Sequence, residues 1–403
     1  MKKILFVDDE PLVLQGLQRM LRPMRTEWEM EFIDSGVKAL ERMAQAPFDV
    51  VVSDMRMPGM NGAQLLNQVM KLYPKTVRLI LSGHADQDLI LKCVGSTHQF
   101  LSKPCDPDAL KATVIRASNL ESSLGNARVQ QLVCQMDQLP SIPSLYTQIV
   151  EKLNGPDASL EEVGEIIARD IGMTAKILKL VNSAFFGLRR QISSPQEAAG
   201  YLGLDTIKSL VLSLETFSQF DNANLAGLSM DALWRHSLNT GSLAKQIAHL
   251  EDADAKTRDE AFVAGMLHDI GKVILAANLP AEYARVLELA RSEQLELFMA
   301  EEKVLGANHA DAGGYLLGLW GLPVPLVEAI ALHHRPERAA ETAFSPLTAV
   351  HAANVLEAEF NSADRPGARP EANSQYITSA GFADHFQGWR EALSQSRTTD
   401  KVA

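Results

Sequence analysis

The sequence predicts a doubly wound parallel α/β sheet of five strands, followed by an all-helical half. Up to about residue 120, short apolar runs alternate with helix-length segments, which is typical of βα units that cover both faces of a parallel sheet. From Pro140 to about Leu356, apolar residues recur at helical spacing, as at Val163, Ile166 and Ile167. We therefore expect two different architectures along the chain.

Composition and charge narrow the kind of protein. A chain of 403 residues can form two or three domains, and its net charge of −12 argues against non-specific nucleic-acid binding, which needs a basic surface. The three cysteines are scattered, as in proteins of a reducing compartment. The first apolar run is too short for a signal core, and no run approaches the roughly 20 residues of a membrane span. We expect a cytoplasmic protein without a membrane segment.

Polar residues follow the predicted strands of the first region. The strand patterns cover 3–7, 30–33, 49–52, 77–81 and 99–101. The residues that follow four of these strands are Asp8, Asp9, Asp54, Ser82 and Lys103. Because the carboxyl ends of parallel strands share one edge of a sheet, these side chains should form one site.

The chemistry of this set points to phosphoryl transfer. Three gathered carboxylates, those of Asp8, Asp9 and Asp54, repel one another unless a cation neutralises them, and hard oxygen ligands favour Mg²⁺. A carboxylate can attack phosphorus while Lys103 stabilises charge on the phosphoryl oxygens, and Ser82 can donate a hydrogen bond to the phosphate. Any one of these acids alone is more simply explained as a helix cap or loop residue. The whole set at successive strand ends favours a functional site.

With the segment Asp-Met-Arg-Met-Pro-Gly-Met-Asn-Gly at 54–62, residues 1–120 resemble the receiver domain of two-component response regulators. The resemblance implies a flavodoxin-like fold and phosphorylation of Asp54 by a cognate histidine kinase. It implies that Mg²⁺ is held at the carboxylates and at a backbone carbonyl. The residues of this magnesium site would be Asp8, Asp9, Asp54 and Arg56.

The same resemblance assigns switch positions. Ser82, Phe100 and Lys103 would rearrange or reorient when the phosphoryl group arrives. Phe100 lacks the hydroxyl group of the tyrosine found at this position in other members, so its movement would depend on packing alone.

The helical half contains a second set of candidate site residues, most of which are histidines. They are His236, His268 with Asp269, His309, and His333 with His334. Imidazole and carboxylate ligands from several helices can hold one or two transition metal ions and activate water against a phosphodiester. Taken singly, His236, His309 or His334 is more often a hydrogen-bonded core residue. Taken together, the set favours a site in which Lys272 binds a phosphate.

Six segments of the helical half carry a family pattern: 139–143, 167–170, 178–187, 234–237, 267–272 and 320–323. These segments resemble the HDOD domain, an all-helical relative of the HD phosphohydrolases, over about residues 138–356. HDOD domains are generally regarded as non-catalytic signalling modules. The resemblance implies that this half presents a surface to another signalling protein.

The chain also keeps the metal-binding pattern of the related HD-GYP phosphodiesterases. The corresponding ligands would be His236, His268, Asp269, His309, His333 and Asn354, with Lys272 as the phosphate-binding residue. Two departures weaken the case for hydrolysis. No Gly-Tyr-Pro signature follows His334, and Asn354 offers a neutral oxygen where an aspartate would be expected.

These observations predict a receiver domain at 1–120, a connecting helix at 121–138, an HDOD output domain at 139–356 and a C-terminal extension at 357–403 with a short helix near Trp389. We expect a phosphorelay regulator with a histidine kinase and a downstream signalling protein as partners, while a homodimer stays open. The alternative is a receiver-gated, metal-dependent phosphohydrolase that acts on a cyclic dinucleotide. A module that only binds a ligand is the third interpretation.

Overall fold

The computed structural model describes most of the chain. The described residues are 1–82, 99–103, 144–153, 159–169, 194–218, 225–319, 322–339, 343–361 and 368–400, with 110, 111, 114, 115, 129, 132, 133, 173 and 177 between them. Two compact units form, a first unit of 1–141 with 315–322 and a second unit of 142–314 with 323–403. The predicted connecting helix at 121–138 lies almost wholly outside the described residues, as do two predicted HDOD segments, 139–143 and 178–187.

The first unit contains a parallel sheet. Its strands are β1 (Lys2–Val7), β2 (Trp28–Ile33), β3 (Val50–Asp54), β4 (Val77–Ser82) and β5 (Gln99–Ser102). They lie in the order β2-β1-β3-β4-β5, and every neighbouring pair is parallel. The direction of winding reverses between β1 and β3, which places a crevice at the carboxyl ends of these two strands. The predicted doubly wound α/β class is confirmed.

Three helices flank this sheet in the described part of the first unit. They are α1 (Pro11–Met20), α2 (Gly36–Gln45) and α3 (Gly62–Leu72), and a short 3₁₀ helix spans Arg22–Thr26. Ser35 caps α2 by accepting from the backbone N–H of Lys38, and Asn61 with Gln64 forms a capping box on α3. The helices pack on the sheet, and its strand β3 is buried at every residue up to the last, Asp54.

Gly62 allows α3 to begin directly against β3. A Cβ atom at this position would lie 2.1 Å from the backbone oxygen of Asp54. We expect Gly62→Ala to destabilise the full chain by about 1–3 kcal/mol, because the backbone must shift. Gly16→Ala is the matched control, since nothing lies within 4 Å of its added Cβ and alanine favours the interior of α1. Calorimetric unfolding that leaves Gly62→Ala as stable as Gly16→Ala would contradict this account.

The part of the chain beyond residue 141 is helical in all its described elements. Its first seven helices are α4 (Ser144–Leu153), α5 (Leu160–Ala168), α6 (Pro195–Leu202), α7 (Leu204–Ser218), α8 (Met230–Leu250), α9 (Ala255–Leu267) and α10 (Ile270–Asn278). The others are α11 (Pro280–Ser292), α12 (Leu297–Leu305), α13 (His309–Leu319), α14 (Val324–Leu332), α15 (Pro346–Phe360), α16 (Ser374–Ser379) and α17 (Ala383–Asp400), with a 3₁₀ turn at Pro336–Arg338. The all-helical prediction for this half is confirmed.

Helix α15 lies at the centre of the second unit. It packs against α8, α9 and α14, and every residue from Pro346 to Ala358 is buried. A helix that is buried on all sides can direct polar side chains only into the interior. Asn354 and Glu357 on α15 therefore face other helices instead of solvent.

The C-terminal region differs from its prediction. A short helix was expected near Trp389, but α17 has 18 residues. Phe386, Trp389 and Leu393 repeat at helical spacing and are buried, and the Trp389 indole donates to Glu251 Oε1 at 2.8 Å. This apolar stripe stabilises a helix whose other faces are polar. Within the described ranges, no helix combines the length and the apolar character needed to cross a membrane.

Candidate phospho-acceptor site and histidine cluster

The first candidate site lies at the carboxyl ends of β1, β3 and β5. Lys103 Nζ lies 2.8 Å from Asp8 Oδ2 and also pairs with Asp54, so one ammonium group bridges the two carboxylates. The other oxygen of Asp54 accepts from the backbone N–H of Arg56 at 2.8 Å, and Asp8 Oδ1 accepts from the N–H of Glu10 at 2.9 Å. The structure thus brings together the predicted acceptor, its neighbour Asp8 and the predicted lysine.

The charges at this site are unbalanced. Asp8 is 1% exposed and Asp54 is 7% exposed. Burial raises the pKa of Asp54 although Lys103 opposes the shift, and hydrogen bonds to both aspartates outweigh burial and raise the pKa of Lys103. With both carboxylates ionised, one ammonium group leaves a negative charge, and the partly exposed Asp9 adds another. An oxygen-only donor set with excess negative charge fits Mg²⁺.

The predicted switch residues lie on the neighbouring strands. Ser82 ends β4 opposite Ser102, and Phe100 lies in β5 opposite Ile80. The side chains of Ser82 and Phe100 are outside the described residues, so their switch role stays a prediction.

The predicted histidines of the second unit lie mostly at helix ends. His268 directly follows α9 and Asp269 directly precedes α10, His309 begins α13, and His333 directly follows α14, whereas His236 lies within α8. Asp269 occupies the N-cap position of α10 but makes no side-chain capping bond. Its carboxylate points instead to the imidazole rings that the other helix ends supply.

His236, His268 and Asp269 form the first triad, whose candidate ligand atoms lie within 4.8 Å of one another. His236 Nε2 lies 3.2 Å from His268 Nε2 and 3.4 Å from Asp269 Oδ2. Burial lowers the pKa of His268 to about 3, so this ring is neutral near pH 7. Its Nδ1–H donates to the Gly265 carbonyl at 2.7 Å, which leaves an unprotonated Nε2 that faces His236.

His309, His333 and His334 form the second triad within the same limit. His309 Nε2 lies 3.0 Å from His334 Nε2 and 3.2 Å from Asp269 Oδ1, and His333 Nε2 lies 4.0 Å from the same oxygen. Burial holds the pKa of His333 and of His334 well below the ordinary value. Asp269 therefore lies between the triads, with Oδ2 toward His236 and with Oδ1 within 3.5 Å of both His268 Nε2 and His309 Nε2.

The buried candidate ligand atoms of both triads fit a bound cation. Among the described residues, Asp269 Oδ1 and His333 Nε2 are buried and have no hydrogen-bond partner. Burial alone would raise the pKa of Asp269, but His268, Lys272 and His309 outweigh it and hold the pKa well below the usual range. Ligands bound at about 2.1 Å to one ion lie about 3 to 3.5 Å apart, which is close to the spacings observed here. The donor set of imidazole nitrogens and one carboxylate fits a transition metal ion.

Gly271 and Lys272 complete the approach of α10 to the cluster. A Cβ at Gly271 would lie 1.9 Å from the backbone oxygen of His309, so only glycine lets α10 come this close to the start of α13. Lys272 Nζ pairs with Asp269 Oδ2 at 2.6 Å. Lys272, the predicted phosphate-binding residue, therefore already neutralises part of the negative charge of Asp269.

Sequence reasoning missed two glutamates, and it included His334 in the histidine set without assigning it a ligand role. His334, next to the predicted ligand His333, belongs to the second triad. Glu357 lies one helical turn after Asn354 and contacts His236 Nδ1 at 2.6 Å, while Glu301 contacts His309 Nδ1 at 2.6 Å. The His-His pair was a visible signal for His334, but the sequence contains no local signal for the two glutamates.

A cavity of about 610 Å³ lies beside the cluster. Its wall includes His236, Asp269, Lys272 and Asn354, together with apolar side chains such as Phe360. This volume is within the range of small-molecule sites. The ligand role of Asn354 stays a prediction.

Glu296 also lines this cavity and makes stability depend on pH. Burial, aided by the negative charge of Glu371, raises the pKa of Glu296 from 4.5 to about 7. The stabilising contribution of its neutral form is thus full below pH 4.5 and is lost as pH rises through 7. We expect Glu296→Gln to gain melting temperature over wild type between about pH 5 and 8. The control is Glu288→Gln, because Glu288 is exposed on α11. We expect this control to have no such gain in melting temperature. A pH-independent difference for Glu296→Gln would refute this assignment.

Two family models cover most of the chain. The model for the response regulator receiver domain matches residues 4–115, and the model for the HDOD domain matches residues 139–336. The chain is a response regulator with an HDOD domain. The sequence-based assignment of both families is confirmed, and α15 with its buried Glu357 lies beyond the matched part of the HDOD domain.

Similar proteins support this assignment of the response regulator. A solved HDOD domain protein of unknown function from Geobacter sulfurreducens is 26% identical, with a TM-score of 0.58 over 70% of this chain and 97% of that chain. An uncharacterized protein from Treponema pallidum (strain Nichols) is 23% identical over 69% of this chain and 53% of its own length. The DNA-binding transcriptional regulator NtrC of Escherichia coli (strain K12) is 36% identical over 28% of this chain and 24% of its own. The response regulator thus spans about half, or less, of these curated relatives.

Proposed function

We propose that the response regulator accepts a phosphoryl group on Asp54 and relays the signal through its HDOD half, whose histidine cluster binds divalent metal ions. Membership of the response regulators supports the phosphorelay role. The observation that carries the acceptor assignment is the bridge from Lys103 to Asp8 and Asp54 at the point where the winding of the sheet reverses.

The transfer step uses few groups. An Asp54 carboxylate oxygen forms a bond to phosphorus as the bond between phosphorus and a phosphohistidine nitrogen of the kinase breaks, and that nitrogen keeps the electron pair. Lys103 already pairs with Asp54, so its ammonium group is close enough to contact the oxygens of a phosphoryl group bound to Asp54. Mg²⁺, held by Asp8, Asp9, Asp54 and the Arg56 carbonyl, would neutralise charge on those oxygens.

For the HDOD half we propose a non-catalytic role, in which the second unit presents a surface to a downstream signalling protein of the cytoplasm. The neutral Asn354 on the cavity wall supports this role, because an amide attracts a dication and acidifies bound water less than a carboxylate does. The domain bounds of 1–120, 121–138, 139–356 and 357–403 belong to the same proposal.

Hydrolysis of a cyclic dinucleotide is the second candidate. The specific observation in its favour is that two triads share Asp269 beside a cavity large enough for a small ligand. Metal-loaded full-length chain, with and without phosphorylation, should be incubated with a cyclic dinucleotide. The non-catalytic proposal predicts no turnover in either state. Turnover that is abolished in Asp269→Asn but retained in Asp259→Asn, whose carboxylate pairs with Lys245 outside both triads, would establish the hydrolase instead.

A further inference from the structure

Two buried glutamates contact the Nδ1 atoms of histidines in the cluster. Glu357 Oε2 lies 2.6 Å from His236 Nδ1, on the side of the ring opposite to the Nε2 atom that faces Asp269. Its other oxygen accepts from Asn361 Nδ2 at 2.6 Å and from Asn239 Nδ2 at 3.4 Å. Because a carboxylate only accepts, His236 must carry a proton on Nδ1 and can present an unprotonated Nε2 to an ion.

Glu301 has the same relation to the second triad. Its Oε2 accepts from both the backbone N–H and the Nδ1–H of His309, each within 2.8 Å, and its Oε1 accepts from the Tyr283 hydroxyl at 2.9 Å. Glu301, His309 and Tyr283 are all buried. These hydrogen bonds hold the His309 ring in one orientation, with its Nε2 atom toward Asp269.

Backbone carbonyls hold one further ring in each triad. His268 donates to the carbonyl of Gly265 and His333 to that of Ile330, each at 2.7 Å and each three residues earlier in the chain. These two contacts come with the local helix geometry and do not depend on another element. For His236 the local contact is longer, since Thr240 Oγ1, one turn away on α8, lies 3.5 Å from Nδ1. Glu357 from α15 lies 2.6 Å from the same atom across 121 residues of sequence, so we assign it the main positioning contact.

We propose that Glu357 and Glu301 are positioning residues for two separate ion sites, Glu357 for the first triad and Glu301 for the second. Each fixes one histidine tautomer without touching the ion. The inference rests on the proposed metal binding of the HDOD half. It adds that the cluster needs α15, which lies beyond the matched HDOD residues.

The Glu357→Gln substitution tests this inference because it keeps the shape and reverses the hydrogen bonding. If the glutamine oxygen continues to accept from Asn361, its NH₂ group faces His236 Nδ1. The proton of His236 then moves to Nε2, which can no longer bind an ion. Glu359→Gln is the matched control, since Glu359 lies two residues away on α15 and pairs with Arg390 at the surface.

The experiment is a Co²⁺ titration of metal-free, full-length protein in excess Mg²⁺, followed by the visible absorption of bound cobalt. We expect two ions in the wild type and in Glu359→Gln. In Glu357→Gln one ion should bind about 10- to 100-fold more weakly, with its absorption band lost or shifted, while the other is unchanged. Circular dichroism of the metal-free variants checks that they fold.

The possible results of the titration distinguish a failure of the positioning role from a failure of metal binding itself. Wild-type binding that Glu357→Gln leaves unchanged, or an equal loss of both ions, would overturn the inference and leave metal binding standing. A wild type that binds no cobalt would overturn both. If Glu357→Gln does not fold, Glu301→Gln provides the parallel test, with selective loss of the other ion as the expected result and unchanged binding as the contrary one.

Discussion

Asparagine in place of Asp54 should abolish phosphorylation of the response regulator. In the wild type, incubation with Mg²⁺ and a small phosphodonor such as acetyl phosphate should add one phosphoryl group per chain, detected by intact mass. Asp54→Asn removes the nucleophilic oxygen at the end of β3 but can keep the hydrogen bond from the Arg56 N–H. We expect the mass shift to disappear completely.

The control for this experiment is Asp34→Asn. Asp34 pairs at the surface with Lys38, one helical turn away, and belongs to neither candidate site. This variant should be phosphorylated like the wild type. Incorporation that persists in Asp54→Asn, or that disappears in Asp34→Asn, would contradict the assignment of the acceptor.

Loss of Asp269 should have the largest effect on metal binding. Asp269 is the only carboxylate in either triad, and its oxygens lie within 3.5 Å of histidine nitrogens from both triads. Asp269→Asn should therefore weaken binding at both triads, by more than the roughly 10- to 100-fold typical of an outer-sphere residue. Elemental analysis after dialysis should find no retained transition metal in the variant.

The control for Asp269→Asn is Asp259→Asn on α9. Asp259 pairs with Lys245 near the surface and belongs to neither triad. Full metal content in this control, with none in Asp269→Asn, is the expected result. Metal retained by Asp269→Asn at the wild-type level would show that the triads do not bind it.

The receiver site could be predicted from the sequence because parallel sheets place strand ends together. Asp8, Asp54 and Lys103 are far apart in the chain, yet each directly follows or ends a strand that the apolar runs mark clearly. Once a parallel sheet is assumed, their proximity follows from topology alone. The family motif then added the expected role of each residue.

The histidine cluster could be predicted only in part. The set of histidines was visible, but which nitrogen faces the centre depends on contacts such as that of Glu357 with His236. A contact between helices so distant in sequence leaves no periodic or local signal. The length of α17 was missed for a related reason, because contacts with other elements, such as the docking of Trp389 and its apolar neighbours, stabilise so polar a helix.

The measurement that tests the central claim most directly is hydrogen exchange of the full-length response regulator before and after phosphorylation. A receiver that controls its output half should change exchange in the second unit, within residues 225–361, as well as around Asp54. Asp54→Asn should show neither change under the same conditions. Altered exchange confined to the first unit in phosphorylated wild type would contradict the claim that the signal reaches the HDOD half.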